Sequence, residues 1–233
     1  MDAGGRSIPH FQEELAAIKE RLLAMGGLAE DAVRRSVDGL ARRDLAAIDR
    51  VLTGDEPVNE AHIDIDDRCF RILALQNPLA TDLRMVLAAV KINSDLERVG
   101  DLAVNIAEAA QRYLMHPPVK PLIDVPRMAD IAQQMLRDAL DAFVRRDVVA
   151  AHAVCRQDDQ LDGLKTQIFR ELISYMLADT SSIEPALDLI LISRHLERIG
   201  DHATNIAEDV IFMVSARDVR HSHLTPPGSD DGQ

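Results

Sequence analysis

The spacing of apolar residues predicts α-helices along almost the whole chain. Apolar side chains recur every three or four positions, the period that gathers them on one face of a helix. Start and stop signals divide the first half into helices over residues 8–42, 44–76 and 79–114. At the last break we expect Asn77 as the N-cap and Pro78 in the first helical position. Helices of this length joined by short turns pack antiparallel, so the first half is predicted to be a three-helix bundle.

The same pattern occurs twice. The stretch DLERVGDLAVNIAE at residues 95–108 and the stretch HLERIGDHATNIAE at residues 195–208 are identical at ten of fourteen positions, with an offset of 100 residues. Residues 25–45 align with residues 128–148 at an offset of 103 residues. Each half therefore contains the same three-part unit. The predicted fold class is all-α, with two tandem three-helix bundles related by an internal repeat.

The change of offset indicates a shorter turn in the second half. The three missing residues fit the turn ADTSSIEP, where Ser181 and Glu184 have the spacing of a capping box. The four prolines of the segment HPPVKPLIDVP cannot belong to a continuous helix, so they mark a linker. The predicted limits are 8–114 for the first bundle, 115–126 for the linker, 127–215 for the second bundle and 216–233 for a disordered tail.

Composition narrows the functional classes. Aromatic residues make up 3% of the 233 residues and tryptophan is absent, which favours helices over strands. A net charge of −13 repels phosphate backbones and anionic lipids, so we expect no nucleic acid and no direct membrane contact. Cys69 and Cys155 lack paired spacing and are interpreted as small buried hydrophobic residues in a reducing cytosol. No secretion signal or bilayer-spanning apolar segment is evident, so a cytoplasmic protein is expected.

Each half is predicted to carry one cluster of oxygen-bearing side chains. In each copy of the duplicated stretch, two carboxylates four residues apart lie on the helix face away from the core. The preceding helix carries a second pair with the same spacing, and counting from the intervening turn puts both pairs at nearly the same height. The members are Asp55, Asn59, Glu97 and Asp101 in the first cluster and Asp158, Asp162, Glu197 and Asp201 in the second cluster.

A bound cation is one way to relieve the repulsion within each cluster. Like charges a few ångströms apart cannot all ionise cheaply, and we expect no lysine interleaved among them. Carboxylate and amide oxygens suit Mg, Mn or Fe, and Zn also accepts carboxylates. Arg98 and Arg198 flank the clusters and offer another way to neutralise the charge, so a metal-free acidic surface stays open.

The first cluster departs from the second. Pro57 lies between Asp55 and Asn59, so we expect a kink where the helix loses the hydrogen bond to the Thr53 carbonyl. Asn59 supplies no charge. We therefore expect the second cluster to bind a cation more tightly than the first.

Two glycines and two histidines of the duplicated stretch admit structural or functional interpretations. Gly100 and Gly200 each cost about 1 kcal/mol inside a helix, which indicates either close approach of a ligand or tight helix packing. His195 and His202 lie on the flank of the helical wheel, so we expect them at the surface.

These motifs resemble the PhoU family of phosphate-transport regulatory proteins. The resemblance covers the chain from about Phe11 to Val214 and rests on LERVGD, LERIGDHATNIAE, ALQNPLATDLR and RELISYML, together with the duplicated plan. It implies two three-helix bundles and, in some members, multinuclear metal clusters at E/D-x-x-x-D motifs. The corresponding pairs here are Glu97 with Asp101, Glu197 with Asp201, Asp158 with Asp162 and, imperfectly, Asp55 with Asn59.

The resemblance also implies a function. It implies a cytoplasmic negative regulator of the phosphate-starvation response that links the ATPase of a high-affinity phosphate ABC importer to a sensor histidine kinase. We expect a homodimer that reaches the membrane only through these partners.

Two other functional classes stay open. A metal-free helical adaptor would use its acidic faces to bind basic partner surfaces. A carboxylate-bridged metal oxidase is the enzymatic alternative, but it uses E-x-x-H motifs directed into a bundle core, and no Glu here is followed three residues later by His. We therefore do not expect an enzyme.

Overall fold

A computed structural model describes residues 8–76 and 78–216, and in these residues every regular element is a helix. The elements in these ranges are α1 (Ile8–Arg42), α2 (Leu45–Leu52), α3 (Glu56–Gln76), α4 (Ala80–Leu114), α5 (Asp124–Arg145), α6 (Val148–Ala178), a 3₁₀ turn (Thr180–Ser182) and α7 (Ile183–Ser215). In the same ranges we find no helix with the length and hydropathy to span a bilayer. The predicted all-α fold is confirmed.

Helices α4 and α7 lie side by side at the centre of the molecule and run antiparallel. Lys91 Nζ, early in α4, lies 2.8 Å from Asp209 Oδ1, late in α7. Arg112 Nε, near the end of α4, lies 2.9 Å from Asp188 Oδ1, near the start of α7. Helices α1, α2 and α3 pack against α4, whereas α5 and α6 pack against α7, and α1 also contacts α5. The main contact surface between the two bundles therefore lies between α4 and α7 and is called the seam below.

On a helical wheel of the duplicated stretch, the apolar residues of the first copy cluster on one face, and this face is buried. Leu96, Val99, Ala103 and Ile106 expose no surface to solvent. Helices α4 and α7 are apolar on several sides because each packs against more than two neighbouring helices. Burial on this scale makes the central pair of helices the main hydrophobic core of the fold.

A repeated Arg-Asp pair forms the turn after the first helix of each half. Arg43 and Arg146 adopt left-handed backbone conformations, with φ of 55° and 57°, which end α1 and α5. The N–H groups of Asp44 and Asp147 donate back to carbonyls of the ending helix at 2.8 and 2.9 Å. Each aspartate then caps the next helix by accepting hydrogen bonds from its first-turn N–H groups. This shared geometry explains why the dipeptide occurs in both copies.

The second helix of the first half is broken rather than kinked. Helices α2 and α3 are separate, so the prediction of one helix over residues 44–76 is wrong. Pro57 is the second residue of α3. The N–H groups of a first helical turn have no partner within the helix, so the missing N–H of proline costs no helical hydrogen bond here. Gly54 permits the break, because a Cβ there would lie 2.6 Å from the Arg50 carbonyl oxygen. Asp55 therefore precedes α3 and belongs to neither helix.

The start of α4 also differs from the prediction. The helix begins at Ala80, and its first hydrogen bond runs from the Asp82 N–H to the Leu79 carbonyl at 3.0 Å. Pro78 lies before the helix, since its fixed φ suits extended backbone as well as a helix start. The predicted N-cap, Asn77, lies outside the described residues.

The turn before α7 contains no capping box. Ser181 lies in the 3₁₀ turn, and its hydroxyl donates to both carboxylate oxygens of Asp179 at 2.8 Å. Asp179 also accepts the Ser181 N–H at 2.9 Å, so the charged carboxylate replaces the serine hydroxyl as the acceptor. Ser182 precedes α7 without a side-chain cap.

Helix α5 begins inside the predicted linker. It starts at Asp124, and Pro126 fits its first turn. Lys120 holds this helix start by donating to Asp124 Oδ2 at 3.0 Å and to the Glu171 carboxylate of α6. The predicted tail beyond Ala216 lies outside the described residues.

Candidate functional site

The second cluster is positioned by close packing of α6 on α7. Its members are Asp158 and Asp162 on α6 and Glu197 and Asp201 on α7. A Cβ added to Gly200 would lie 2.5 Å from Leu161 Cδ2 and 3.5 Å from Asp158 Oδ1. Gly200 therefore allows α6 to approach α7 and places Asp158 against the α7 backbone.

Two carboxylates of the second cluster, Asp158 and Asp201, have raised pKa values. Burial, followed by the charges of Asp201, Asp162 and Glu197, raises the pKa of Asp158 from 3.8 to about 6. Burial, followed by Glu197 and Asp162, also raises the pKa of Asp201. The second cluster therefore contains like-charge repulsion, which is the electrostatic condition that attracts a cation.

A lysine already lies between two of these carboxylates. Lys165 Nζ donates to Asp162 Oδ1 at 2.7 Å and to Glu197 Oε1 at 2.6 Å. These hydrogen bonds raise the pKa of Lys165 to about 12. The expectation that no lysine is interleaved is wrong. The sequence contained the signal, because Lys165 follows Asp162 by three residues and so shares its helix face.

The second cluster is not arranged around a single ion. Across residues 8–76 and 78–216, no three Asp, Glu, His or Cys side chains are placed to hold a metal together. Four carboxylates are chemically suited to a hard or borderline cation. However, the ammonium group of Lys165 lies between Asp162 and Glu197. A metal held by all four carboxylates therefore requires Lys165 to move away.

The first cluster is looser. Asn59 Nδ2 donates to Asp55 Oδ2 at 3.3 Å, and both side chains are exposed. Glu97 is partly buried and Asp101 is exposed on α4. Asp55 directly precedes α3, and its carbonyl accepts the Val58 N–H at 3.0 Å and the Asn59 N–H at 3.4 Å, so both side chains lie at the exposed start of that helix.

Two arginines lie beside the first cluster. Arg35 and Arg50 line a cleft of about 160 Å³ together with Asp55 and Gly100. Their guanidinium charges oppose cation binding at this cluster. In the same cleft Val58 packs on Gly100, because a Cβ there would lie 3.1 Å from Val58 Cγ1. Tight helix packing thus accounts for the glycine in both copies.

His202 is buried in the seam. Its Nδ1 lies 2.8 Å from Asp95 Oδ1 of α4, so the expected surface position is wrong. A single helical wheel misses this burial because α4 covers the flank of α7. His195 is partly buried, and burial followed by the charges of Arg198 and Arg194 lowers its pKa.

A groove of about 740 Å³ opens beside the second cluster. Glu197, Asp201 and Lys165 line one side of it, and Arg194 and Arg198 add positive charge. Phe169 contributes an exposed aromatic surface. Anything that binds in this groove therefore contacts the second cluster directly.

The two cysteines contribute no reactive group to this region. Cys69 is fully buried, and burial raises its pKa to about 12. Cys155 is partly buried, and burial followed by the charge of Glu208 raises its pKa to about 11. Both thiols therefore stay protonated near neutral pH.

The sequence and the fold both match known proteins. A model of the PhoU domain matches residues 22–110 and 125–210, one segment in each bundle. The chain belongs to the PhoU family. It is 38% identical over 216 residues to the phosphate-specific transport system accessory protein PhoU homolog of Aquifex aeolicus, covering 93% of this chain and 98% of that protein. It is 42% identical over 215 residues to the protein of the same description from Pseudomonas putida, covering 92% and 84%.

Solved PhoU structures have the same fold. The crystal structure of PhoU from Pseudomonas aeruginosa superposes with a TM-score of 0.85 at 38% identity, covering 89% of this chain and all of that chain. The crystal structure of the phosphate transport system regulatory protein PhoU from Streptococcus pneumoniae gives a TM-score of 0.82 at 28% identity, covering 90% and 99%. The duplicated helical plan is therefore that of the PhoU family.

Proposed function

We propose that this PhoU-family protein is a cytoplasmic negative regulator of phosphate uptake and phosphate-starvation signalling. It couples the ATPase of a phosphate ABC importer to a sensor histidine kinase and works through binding rather than catalysis. The observation that carries the proposal is the family match over both bundles, together with relatives described as accessory proteins of the phosphate-specific transport system.

Deleting the gene tests this role. In phosphate-rich medium, the deletion strain should express phosphate-starvation genes that the parent strain keeps silent, and a plasmid copy should restore silence. A reporter fused to a starvation promoter measures both. Any second family member in the cell is deleted as well, and unchanged reporter activity in that strain contradicts the proposal.

The proposal includes a homodimer in solution. Sedimentation equilibrium of the purified chain at micromolar concentration should give twice the 25.7 kDa mass of one chain. A single species at the monomer mass contradicts this part of the proposal, and leaves the regulatory role to be tested separately by the deletion.

We further propose that the second cluster binds a metal ion, with Fe, Zn, Mn and Mg as candidates. Burial together with the charges of neighbouring carboxylates raises the pKa values of Asp158 and Asp201, and a cation would relieve both effects, which supports this proposal. Lys165 opposes it, because its ammonium group already neutralises one of the four charges. The metal-free adaptor therefore has specific support too: in that case Lys165 takes the place of the metal, and the groove beside it receives a partner.

Metal analysis with matched variants decides between the two. Elemental analysis of protein purified without chelators should find near-stoichiometric metal if the metal proposal holds. Asp201→Ala should then lose more metal than Asp101→Ala, because only the second cluster has four carboxylates. Lys165→Met should bind metal more tightly than the wild type, since it removes the competing charge and keeps much of the side-chain volume. Negligible metal in the wild type and in all three variants favours the metal-free adaptor, whereas equal, stoichiometric metal in all four proteins places the metal outside the two clusters.

A further inference from the structure

An arginine-lined cavity lies between the end of α1 and helix α2. Its volume is about 390 Å³. Its charged lining consists of Arg34, Arg35, Asp38, Arg42, Asp44 and Arg50. Four guanidinium groups face two carboxylates, so the cavity is locally cationic in a chain whose net charge is −13. Such a reversal of sign points to an anionic ligand.

Two of the four arginines are held in place by aspartates. Arg35 Nη2 lies 2.5 Å from Asp31 Oδ2, and Arg34 pairs with the other oxygen of the same carboxylate. Arg34 Nη1 also lies 3.6 Å from Asp38 Oδ2. These ion pairs fix the directions of both guanidinium groups along the cavity wall.

The other two arginines are available to a ligand. In the part of the chain that the structure describes, Arg42 and Arg50 form no ion pair or side-chain hydrogen bond. The nearby Asp44 carboxylate is already engaged, since it accepts the Ala47 N–H at 3.0 Å. Two guanidinium groups therefore face the cavity with their donors unused.

The internal repeat shows that the fold does not require this charge. At the offset of 103 residues, Arg35 corresponds to Asp138 and Arg50 corresponds to Ala153. The turn between α5 and α6 adopts the same left-handed conformation and the same aspartate cap without these arginines. Arg35 and Arg50 are therefore peculiar to the first half, where Arg35 pairs with Asp31 and the geometry of the turn does not require Arg50.

We propose that this cavity binds a small anion with two linked phosphoryl groups, with Arg42 and Arg50 as direct ligands. A guanidinium group presents paired N–H donors that match two phosphate oxygens, and a diphosphate supplies one such face to each arginine. The volume lies at the lower end of the roughly 300–1,000 Å³ typical of small-molecule sites. The site lies apart from the second cluster and does not depend on the regulatory role proposed above, but Arg35 and Arg50 also line the cleft beside Asp55 of the first cluster.

Calorimetric titration of the chelator-treated, full-length chain tests this site. The probes are pyrophosphate, ADP, inorganic phosphate and sulfate, and removal of metals excludes anion binding through a cation. Pyrophosphate should bind at least about tenfold more tightly than phosphate or sulfate, because a diphosphate engages both Arg42 and Arg50 whereas a single phosphate or sulfate group does not. Binding of ADP as well shows that the diphosphate is recognised on an organic group, whereas binding of pyrophosphate alone identifies an inorganic ligand.

Matched variants locate the site. R42A should weaken pyrophosphate binding about 10- to 100-fold, whereas R145A, the equivalent change in the second half, should leave it unchanged. R35Q/R50A removes two charges from exposed positions without adding a new like charge, so it should fold and lose most of the binding. R42K should fall between R42A and the wild type because it keeps the charge but loses the paired donors. The proposal is overturned if no probe binds at millimolar concentration, if sulfate binds as well as pyrophosphate, or if the arginine variants match the wild type.

Discussion

Replacing Asp158 by asparagine should stabilise the fold near neutral pH. The folded protein raises the pKa of Asp158 to about 6, so it binds the carboxyl proton more strongly than the unfolded chain, where the ordinary value is 3.8. The ionised carboxylate therefore opposes folding fully above pH 6, and this penalty disappears as the pH falls toward 3.8. An asparagine at this position would keep the shape of the side chain without the charge.

The expected gain is about 1 kcal/mol. The pKa difference alone corresponds to roughly 3 kcal/mol, which is an upper limit. Asp158 is only partly buried, and water screens its repulsion from Asp201 and Glu197, so most of that figure is lost. A gain of this size is still measurable by denaturant unfolding of a helical protein.

Urea unfolding followed by circular dichroism measures the effect in chelator-treated protein between pH 4 and pH 8. Asp158→Asn should be more stable than the wild type at pH 8, and the difference should shrink below pH 6. Asp55→Asn is the matched control, because it removes one charge at the repeat-equivalent position in the looser cluster. No gain at pH 8, or an equal gain in the control, would refute the electrostatic reasoning.

A divalent cation should reverse the order of stability if the second cluster binds metal. Bound metal stabilises the folded state in proportion to its affinity, and it requires the charge that Asp158→Asn removes. Adding Mn²⁺ or Zn²⁺ should therefore raise the unfolding midpoint of the wild type more than that of the variant. Equal shifts in both proteins indicate binding elsewhere.

Three further substitutions test the packing, the seam and the turn by urea unfolding. Gly200→Ala should destabilise the protein by about 1 kcal/mol, because overpacking against Leu161 outweighs the gain in helix propensity, and Leu161→Val should restore the loss. A loss that Leu161→Val fails to restore contradicts this explanation. His202→Ala should cost about 2 kcal/mol by leaving the Asp95 carboxylate buried without its partner, and a neutral effect would show that water replaces the imidazole. Asp147→Ala should cost about 1 kcal/mol through loss of the α6 cap, and an unchanged midpoint would show that the cap is dispensable.

The spacing of apolar residues was sufficient to predict the all-helical fold and which residues of the duplicated stretch face its core. The apolar spacing that placed Leu96 and Ile106 on one face describes their burial correctly, because a helix face is determined by neighbours within a few turns of the same chain. The turns at Arg43-Asp44 and Arg146-Asp147 are also local structures, and the dipeptide occurs at equivalent positions of the two aligned segments. The break before Pro57 was predicted only as a kink, since the sequence does not show whether the backbone bends or restarts.

Contacts between distant elements were harder to predict. The burial of His202 depends on how α7 packs against α4 across the seam, which no single helical wheel contains. Lys165 was detectable by its spacing from Asp162, but its bond to Glu197 depends on the approach of α6 to α7 at Gly200. The arginine cavity depends on how α2 packs against the end of α1, which the pattern within either helix does not define.

The ion pairs of the seam also determine which halves can assemble. Asp95 faces His202, but the position equivalent to His202 in the first half is Leu102, so two first halves would bury Asp95 against an apolar side chain. Two second halves would place Asp188 opposite Phe212, the equivalent of its partner arginine. Each half of this duplicated fold therefore pairs with the other half rather than with a copy of itself. Association of identical halves from neighbouring chains during synthesis is thereby disfavoured.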